Sequence, residues 1–170
     1  MDKELVLVIE DESELNNILS EILVMHNYEV LRAYNGLQAF DLLRDGKIKP
    51  ALVLCDINMP VMNGMEFIRQ SLLHNLELNI CLITGNNQTS SVIEALQLGA
   101  IDYISKPFKL NVLLEKIELM VDIGKRKLNI KAQQNDAAPV HNSLKLNNML
   151  GIKNSQKEIV RSKNQKAAPR

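Results

Sequence analysis

The residues with the clearest chemical potential follow a short apolar run in the first third of the chain. Residues 51–55 are apolar, Asp56 ends the run, and Pro60, Asn63 and Gly64 come soon after it. An apolar run closed by turn residues is typical of a strand buried on both faces. Asp56 is therefore predicted at the carboxyl end of a strand, where open parallel sheets bind ligands. Taken alone, Asp56 is equally well interpreted as a cap of the following helix.

Four other polar side chains follow apolar runs in the same way: Glu10, Asp11, Thr84 and Lys106. Because parallel strands point in one direction, we expect these residues to converge with Asp56 on one edge of the sheet. Three carboxylates at one place repel one another unless a cation neutralises them, and oxygen ligands without Cys or His partners favour Mg²⁺. An ammonium and a hydroxyl beside that metal would complete a pocket for a phosphoryl group. Each residue alone has an ordinary explanation, but five such residues at corresponding positions favour a site.

Strand-like apolar runs alternate with amphipathic helical patterns over the first 120 residues. The predicted strands are 5–9, 28–33, 51–56, 80–84 and 101–105. A helical pattern follows each strand, and Ser13 and either Ser90 or Ser91 are predicted N-caps. Five strands alternating with five helices predict repeated βαβ units. The fold class is therefore α/β, with a parallel sheet covered by helices on both faces.

Composition excludes several classes of protein. The chain has 170 residues, of which 46% are hydrophobic and 24% charged, as in a globular protein. No apolar run approaches the roughly 20 residues of a membrane span, so no membrane insertion is expected. The charged N-terminus passes straight into a strand, which predicts no signal peptide. Cys55 and Cys81 lie within strand-like runs, which favours buried, reduced thiols in a cytoplasmic protein.

The net charge of zero hides an asymmetry between the two parts of the chain. Residues 1–120 contain 17 acidic and 9 basic side chains, whereas residues 121–170 contain 3 and 11. The second part also loses the dense apolar periodicity. We therefore predict an acidic folded domain over residues 1–124 and a basic, largely disordered tail over residues 125–170.

These residues together resemble the receiver domain of two-component response regulators, the chemotaxis-regulator-like family. The resemblance covers roughly residues 4–122 and rests on Glu10-Asp11, Asp56, Met59-Pro60, Gly64, Thr84-Gly85, Tyr103 and Lys106-Pro107. It implies a flavodoxin-like five-stranded parallel sheet of strand order 2-1-3-4-5. Glu10 stands where Asp is usual in the family, a small departure because Glu is also common there.

The resemblance assigns roles at the metal site. Asp56 would be the phosphorylation site and would share a Mg²⁺ ion with three further ligands. Asp11 would bind the ion directly, Glu10 through water, and Asn58 through its backbone carbonyl. Asn58 and Asn86 would flank the water that hydrolyses the phosphoryl group, and two neutral amides imply intermediate to slow self-dephosphorylation.

The resemblance also implies how the signal is passed on. Thr84 and Lys106 would contact the phosphoryl group, and the Lys106-Pro107 bond would be cis. Thr84 and Tyr103 would form the switch, because movement of Thr84 leaves space into which Tyr103 turns. The face made by the fourth helix, fifth strand and fifth helix would change as a result and bind a downstream protein.

The implied phosphodonor is a sensor histidine kinase or a histidine phosphotransfer protein. The protein would catalyse only its own phosphorylation and dephosphorylation, so we do not expect an enzyme acting on other molecules. Nucleic acid is not the expected partner, but a DNA-binding regulator that grips phosphates with the basic tail is the alternative. Haloacid-dehalogenase-type phosphatases also use an Asp nucleophile, but they place a second Asp where this chain has Asn58.

Overall fold

A parallel β-sheet forms the centre of the protein. The computed structural model describes residues 3–85 and 89–136. Its strands are β1 (Leu5–Ile9), β2 (Glu29–Ala33), β3 (Leu52–Asp56), β4 (Ile80–Thr84) and β5 (Asp102–Ser105). All four neighbouring pairs are parallel, and the strand order is β2-β1-β3-β4-β5. The predicted α/β class and the flavodoxin-like order 2-1-3-4-5 are confirmed.

Five helices connect and follow the strands. They are α1 (Ser13–Met25), α2 (Gly36–Leu43), α3 (Gly64–Leu73), α4 (Thr89–Gln97) and α5 (Leu110–Asp136). Side chains of α1 and α5 share one core cluster, and side chains of α2, α3 and α4 share the other. The sheet therefore carries helices on both faces, as the alternating pattern predicts.

The strand sequences explain why the sheet needs both layers. Val6 and Val8 belong to the core cluster of α1 and α5, whereas Leu7 and Ile9 belong to the cluster on the opposite face. Successive side chains of a strand point to opposite faces, so an unbroken aliphatic run has to be covered on both sides. Every residue of β3 and β4 is buried.

Two helix starts differ from the prediction. The N-cap of α1 is Glu12, whose side chain makes no capping hydrogen bond, and Ser13 is the first helical residue. α4 begins at Thr89, so Ser90 and Ser91 lie inside its first turn. The predicted serine caps are therefore wrong. Serine is common both at the N-cap and in the first turn of a helix, so its presence near a helix start does not locate the cap.

The last helix is longer than the sheet needs. α5 continues through Gly124 to Asp136. Gly124 lies against Ala51, the residue before β3, so closely that a Cβ would overlap the Ala51 carbonyl oxygen. Lys125 pairs with Glu4 at 2.9 Å, at the amino end of the sheet. These contacts fix the middle of α5 against the edge opposite the carboxyl ends of the strands.

The chain divides into two units, Met1–Ile130 and Lys131–Arg170, and the first contains the sheet. The second unit is described only as far as the end of α5. The predicted boundary between residues 124 and 125 falls inside α5, and the part of the predicted tail beyond residue 136 lies outside the described residues and stays a prediction. Among the helices that the structure describes, none is both long and apolar enough to span a membrane.

Candidate functional site at the carboxyl edge of the sheet

Three carboxylates meet where β1 and β3 end. Ile9 pairs with Cys55 in the sheet, so the residues that follow Ile9 lie beside Asp56. Carboxylate oxygens of Glu10, Asp11 and Asp56 all lie within 4.8 Å of one another. Glu10 is 2% exposed and Asp56 is 6% exposed, whereas Asp11 is exposed. We call these three residues the acidic cluster, and their predicted convergence is observed.

Lys106 brings the opposite charge to the acidic cluster. Its ammonium donates to Asp56 Oδ1 at 2.7 Å and to Glu10 Oε2 at 2.8 Å. The Lys106 backbone N–H donates to the carbonyl of Thr84, and the Lys106-Pro107 bond is cis, as the resemblance implies. The side chain thus reaches from the end of β5 across β4 to two carboxylates.

The environment changes the pKa of both partners in this pairing. Burial is the main cause that raises the pKa of Glu10, and the hydrogen bond from Lys106 offsets only part of it. Burial by itself lowers the pKa of Lys106, but hydrogen bonds to Asp56 and Glu10 outweigh it and leave that pKa above its ordinary value. Lys106 therefore stays charged.

The donor set of the acidic cluster fits a hard divalent cation. Three ionised carboxylates and one ammonium leave two negative charges, which one divalent ion neutralises. The three candidate ligands are all oxygen donors. Mg²⁺ prefers carboxylate oxygens and keeps several of its waters, and the exposed position of Asp11 leaves room for them. The acidic cluster is therefore compatible with Mg²⁺.

The segment after β3 holds the carboxylate of Asp56 in place. The Asn58 backbone N–H donates to Asp56 Oδ2 at 2.7 Å. A Cβ on Gly64 would overlap the backbone carbonyl oxygen of Asp56, so only glycine allows α3 to start this close to the strand end. The N-cap of α3 is Asn63, which accepts the N–H of Glu66 at 2.9 Å. The alternative interpretation of Asp56 as the helix cap is therefore wrong.

The same segment contains a strained turn. Val61 has φ of 70°, and the Met62 N–H donates to the Pro60 carbonyl at 2.8 Å, which makes a γ-turn. A positive φ is unusual for a β-branched residue. The carbonyl of Met62 accepts the N–H of Gly36 at 2.9 Å, and α2 thereby fixes the far side of the turn.

The predicted switch residues lie on β4 and β5. Thr84 is 3% exposed, and its hydroxyl donates to the Gly85 carbonyl at 3.1 Å. Tyr103 pairs in register with Leu82 and is 41% exposed. The ammonium of Lys116 lies 5.7 Å from the centre of the Tyr103 ring. The aromatic ring is therefore at the surface, as a turning side chain requires.

One polar residue near the site was not predicted. Asn16 lies on α1, is 0% exposed, and donates through Nδ2 to the backbone carbonyls of Glu10 and Ala33. A signal was present, because Asn16 stands three and seven residues before Leu19 and Leu23 on the buried stripe of α1. An amide at such a position indicates a polar contact inside the core.

The two remaining predicted positions are Asn58 and Asn86. Asn58 is exposed, and the direction of its carbonyl toward the acidic cluster stays a prediction. Asn86 lies outside the described residues, so its predicted place beside the hydrolytic water stays a prediction as well.

Comparison with known proteins agrees with this geometry. Chemotaxis protein CheY1 of Helicobacter pylori is 35% identical over 119 residues, which cover 68% of this chain and 95% of that protein. Regulatory protein AtoC of Escherichia coli is 30% identical over 139 residues, which cover 82% of this chain but only 28% of that protein. The chain thus spans about a quarter of the length of AtoC.

A solved structure and a family model lead to the same group. The response regulator receiver domain protein (CheY-like) from Methanospirillum hungatei superimposes with a TM-score of 0.65 at 27% identity, over 74% of this chain and 98% of that one. The family model described as the response regulator receiver domain matches residues 6–118. The chain therefore belongs to the response regulator receiver domain family of two-component systems.

Proposed function

We propose that the carboxylate of Asp56 accepts a phosphoryl group from a phosphohistidine on a partner protein. The single observation that carries this proposal is the placement of Asp56, which is nearly buried between the Lys106 ammonium and the Asn58 N–H. A buried carboxylate held by a cation and a backbone donor, and flanked by two further carboxylates, suits a nucleophile for phosphoryl transfer better than it suits a structural ion pair.

The proposed step is a direct displacement. One Asp56 oxygen forms a bond to phosphorus while the P–N bond of the phosphohistidine breaks, and the imidazole leaves with the electron pair and takes up a proton. Lys106 offsets negative charge on the transferred group. Thr84 and the Asn58 N–H are the proposed donors that hold the phosphoryl oxygens in line.

The acidic cluster is the proposed metal site. Glu10, Asp11, Asp56 and the Asn58 carbonyl would hold Mg²⁺. When bound, this ion would neutralise the carboxylates and polarise the phosphoryl oxygens. Burial of Glu10 and Asp56 in the folded domain supports this assignment, because the cost of gathering like charges has to be offset by a cation.

The phosphodonor and the downstream protein are also proposals. The donor would be a histidine kinase or a histidine phosphotransfer protein in the cytoplasm, which fits the free, buried thiols of Cys55 and Cys81. We propose that the downstream protein, which recognises the phosphorylated form, binds the α4-β5-α5 face. Ile93 and Leu96 on α4 and Tyr103 on β5 expose apolar surface, which supports a protein-binding face there. The protein would act as a signalling domain and not as an enzyme on other substrates.

The test is phosphorylation of the full chain with a small phosphodonor such as acetyl phosphate, with Mg²⁺ or with EDTA. We expect the parent to gain one phosphoryl group, detected as added mass, only with Mg²⁺, and Asp56→Asn to gain none. The matched control is Asp45→Asn, which removes an exposed carboxylate bonded to Lys47 outside the site and should label like the parent. Equal labelling of Asp56→Asn and the parent would refute the assignment.

A further inference from the structure

Asn16 ties together the ends of two strands beside the acidic cluster. Its Nδ2 donates to the Glu10 carbonyl at 2.9 Å and to the Ala33 carbonyl at 3.0 Å. Glu10 directly follows β1, and Ala33 is the last residue of β2. One side chain of α1 therefore connects the carboxyl ends of both strands.

A third, longer hydrogen bond agrees with this orientation of the Asn16 amide. Ser20 donates its hydroxyl to Asn16 Oδ1 at 3.4 Å, which leaves both Nδ2 hydrogens for the two carbonyls. Two donors on one atom are what this position needs, and neither Asp nor a hydroxyl residue supplies them. Since Asn16 is 0% exposed, water cannot replace the lost donors without opening the fold.

The backbone of Glu10 is consequently held on both sides. Its N–H donates to the Ala33 carbonyl at 3.1 Å, and its carbonyl accepts from Asn16. Because both backbone groups of Glu10 are hydrogen-bonded, the backbone that carries the Glu10 side chain has a fixed position. The direction in which the chain continues to Asp11 is fixed as well. Both carboxylates belong to the acidic cluster.

We propose that Asn16 is a positioning residue for the acidic cluster, setting the spacing of the Glu10 and Asp11 carboxylates that a divalent cation requires. The inference rests on the proposed function for the identity of the ion, but the hydrogen bonds that carry it do not involve the ion. Residues that orient metal ligands from outside typically contribute 10- to 100-fold to metal affinity.

The experiment is a Mg²⁺ titration of the full chain, followed by amide chemical shifts in NMR spectra. In Asn16→Leu, which removes both donors but keeps the branched shape of the side chain, we expect the Mg²⁺ Kd to rise about 10-fold. Leu19→Ala is the matched control, because Leu19 is a buried neighbour on α1 without polar contacts, and it should lower stability but keep the parent Kd. Ser20→Ala, which removes only the hydrogen bond on the far side of Asn16, should change Kd less than twofold.

A second readout separates this inference from the metal assignment. Hydrogen exchange at the Glu10 N–H should accelerate at least about 10-fold in Asn16→Leu. It should accelerate less in Leu19→Ala, which lowers the global stability without removing a polar contact. If the parent binds no Mg²⁺ at millimolar concentrations, the proposed metal site fails and the exchange rate alone decides the role of Asn16. If Asn16→Leu does not fold, Asn16→Ser, which keeps one donor, takes its place in both measurements. Unchanged Kd and unchanged Glu10 exchange in the Asn16 variant would overturn the inference.

Discussion

Removal of the Lys106 ammonium is the most informative perturbation of the site. Glu10 and Asp56 are nearly buried, and Lys106 is the basic partner that the structure gives each of them. In Lys106→Met the two carboxylates would face each other without a cation. Breaking a buried ion pair by removing one partner costs about 3–5 kcal/mol, and since the Lys106 side chain is 27% exposed we expect the lower end, about 3 kcal/mol.

The measurement is urea unfolding at pH 7 with EDTA, followed by circular dichroism. In a parallel thermal scan, about 3 kcal/mol corresponds to a decrease in Tm of roughly 11 °C, since the Met1–Ile130 unit has an unfolding entropy of about 0.27 kcal/mol per kelvin. Added Mg²⁺ should restore more stability to Lys106→Met than to the parent, because the ion replaces the missing positive charge.

The matched control is Lys116→Met. Lys116 pairs with Asp102 at the surface, where both side chains are 37% exposed, and such pairs contribute less than about 1 kcal/mol. The reasoning is refuted if Lys106→Met loses no more stability than Lys116→Met, or if Mg²⁺ stabilises both variants by the same amount.

Two further predictions concern the core. Gly124→Ala should lower the free energy of unfolding by about 2–3 kcal/mol in a urea titration, because the new methyl group overlaps the Ala51 carbonyl and α5 has to move. Burial raises the pKa of the Cys81 thiol to about 12 and also raises the pKa of Cys55, so neither thiol should react with a disulfide reagent at pH 8 until urea unfolds the protein. Above pH 9 the unfolded chain releases thiol protons that the folded chain keeps, so the free energy of unfolding should fall as the pH rises.

Each of these has a clear contrary result. Gly85→Ala is the control for Gly124→Ala, since a Cβ at Gly85 meets nothing within 4 Å, and equal losses in the two variants would contradict the packing argument. Rapid modification of Cys55 or Cys81 in the folded protein at pH 8 would show that the thiols are accessible, contrary to their burial.

The sequence predicts the sheet and the acidic cluster for the same physical reason. An aliphatic run that stops at a charged residue marks both the length of a buried strand and the point where the chain leaves it. Parallel pairing then places Glu10 and Asp56 side by side, without knowledge of any side-chain torsion. Thr84 and Tyr103 fall on β4 and β5 by the same argument.

Contacts that depend on the tertiary structure could not be predicted from the strand pattern. Ser13 was a reasonable cap by residue type, but the loop geometry makes Glu12 the cap residue. Asn16 occupies a buried stripe position that is normally apolar, and its role depends on two carbonyls, one of them 17 residues away. The sharing of Lys106 between Glu10 and Asp56 is likewise a property of the assembled edge.

That sharing also has a consequence for the order of folding. Lys106 and Glu10 are 96 residues apart in sequence, and Lys106 and Asp56 are 50 apart. Closing a contact over so long a stretch of chain costs more conformational entropy than closing a local one, so we expect these two ion pairs to form late in folding. The first four strands can gather the carboxylates, but these receive their ammonium only when β5 joins the sheet. Arrival of the last strand therefore completes the sheet and brings the Lys106 ammonium to Glu10 and Asp56, and a chain that stops short of it would leave both carboxylates without this ion pair.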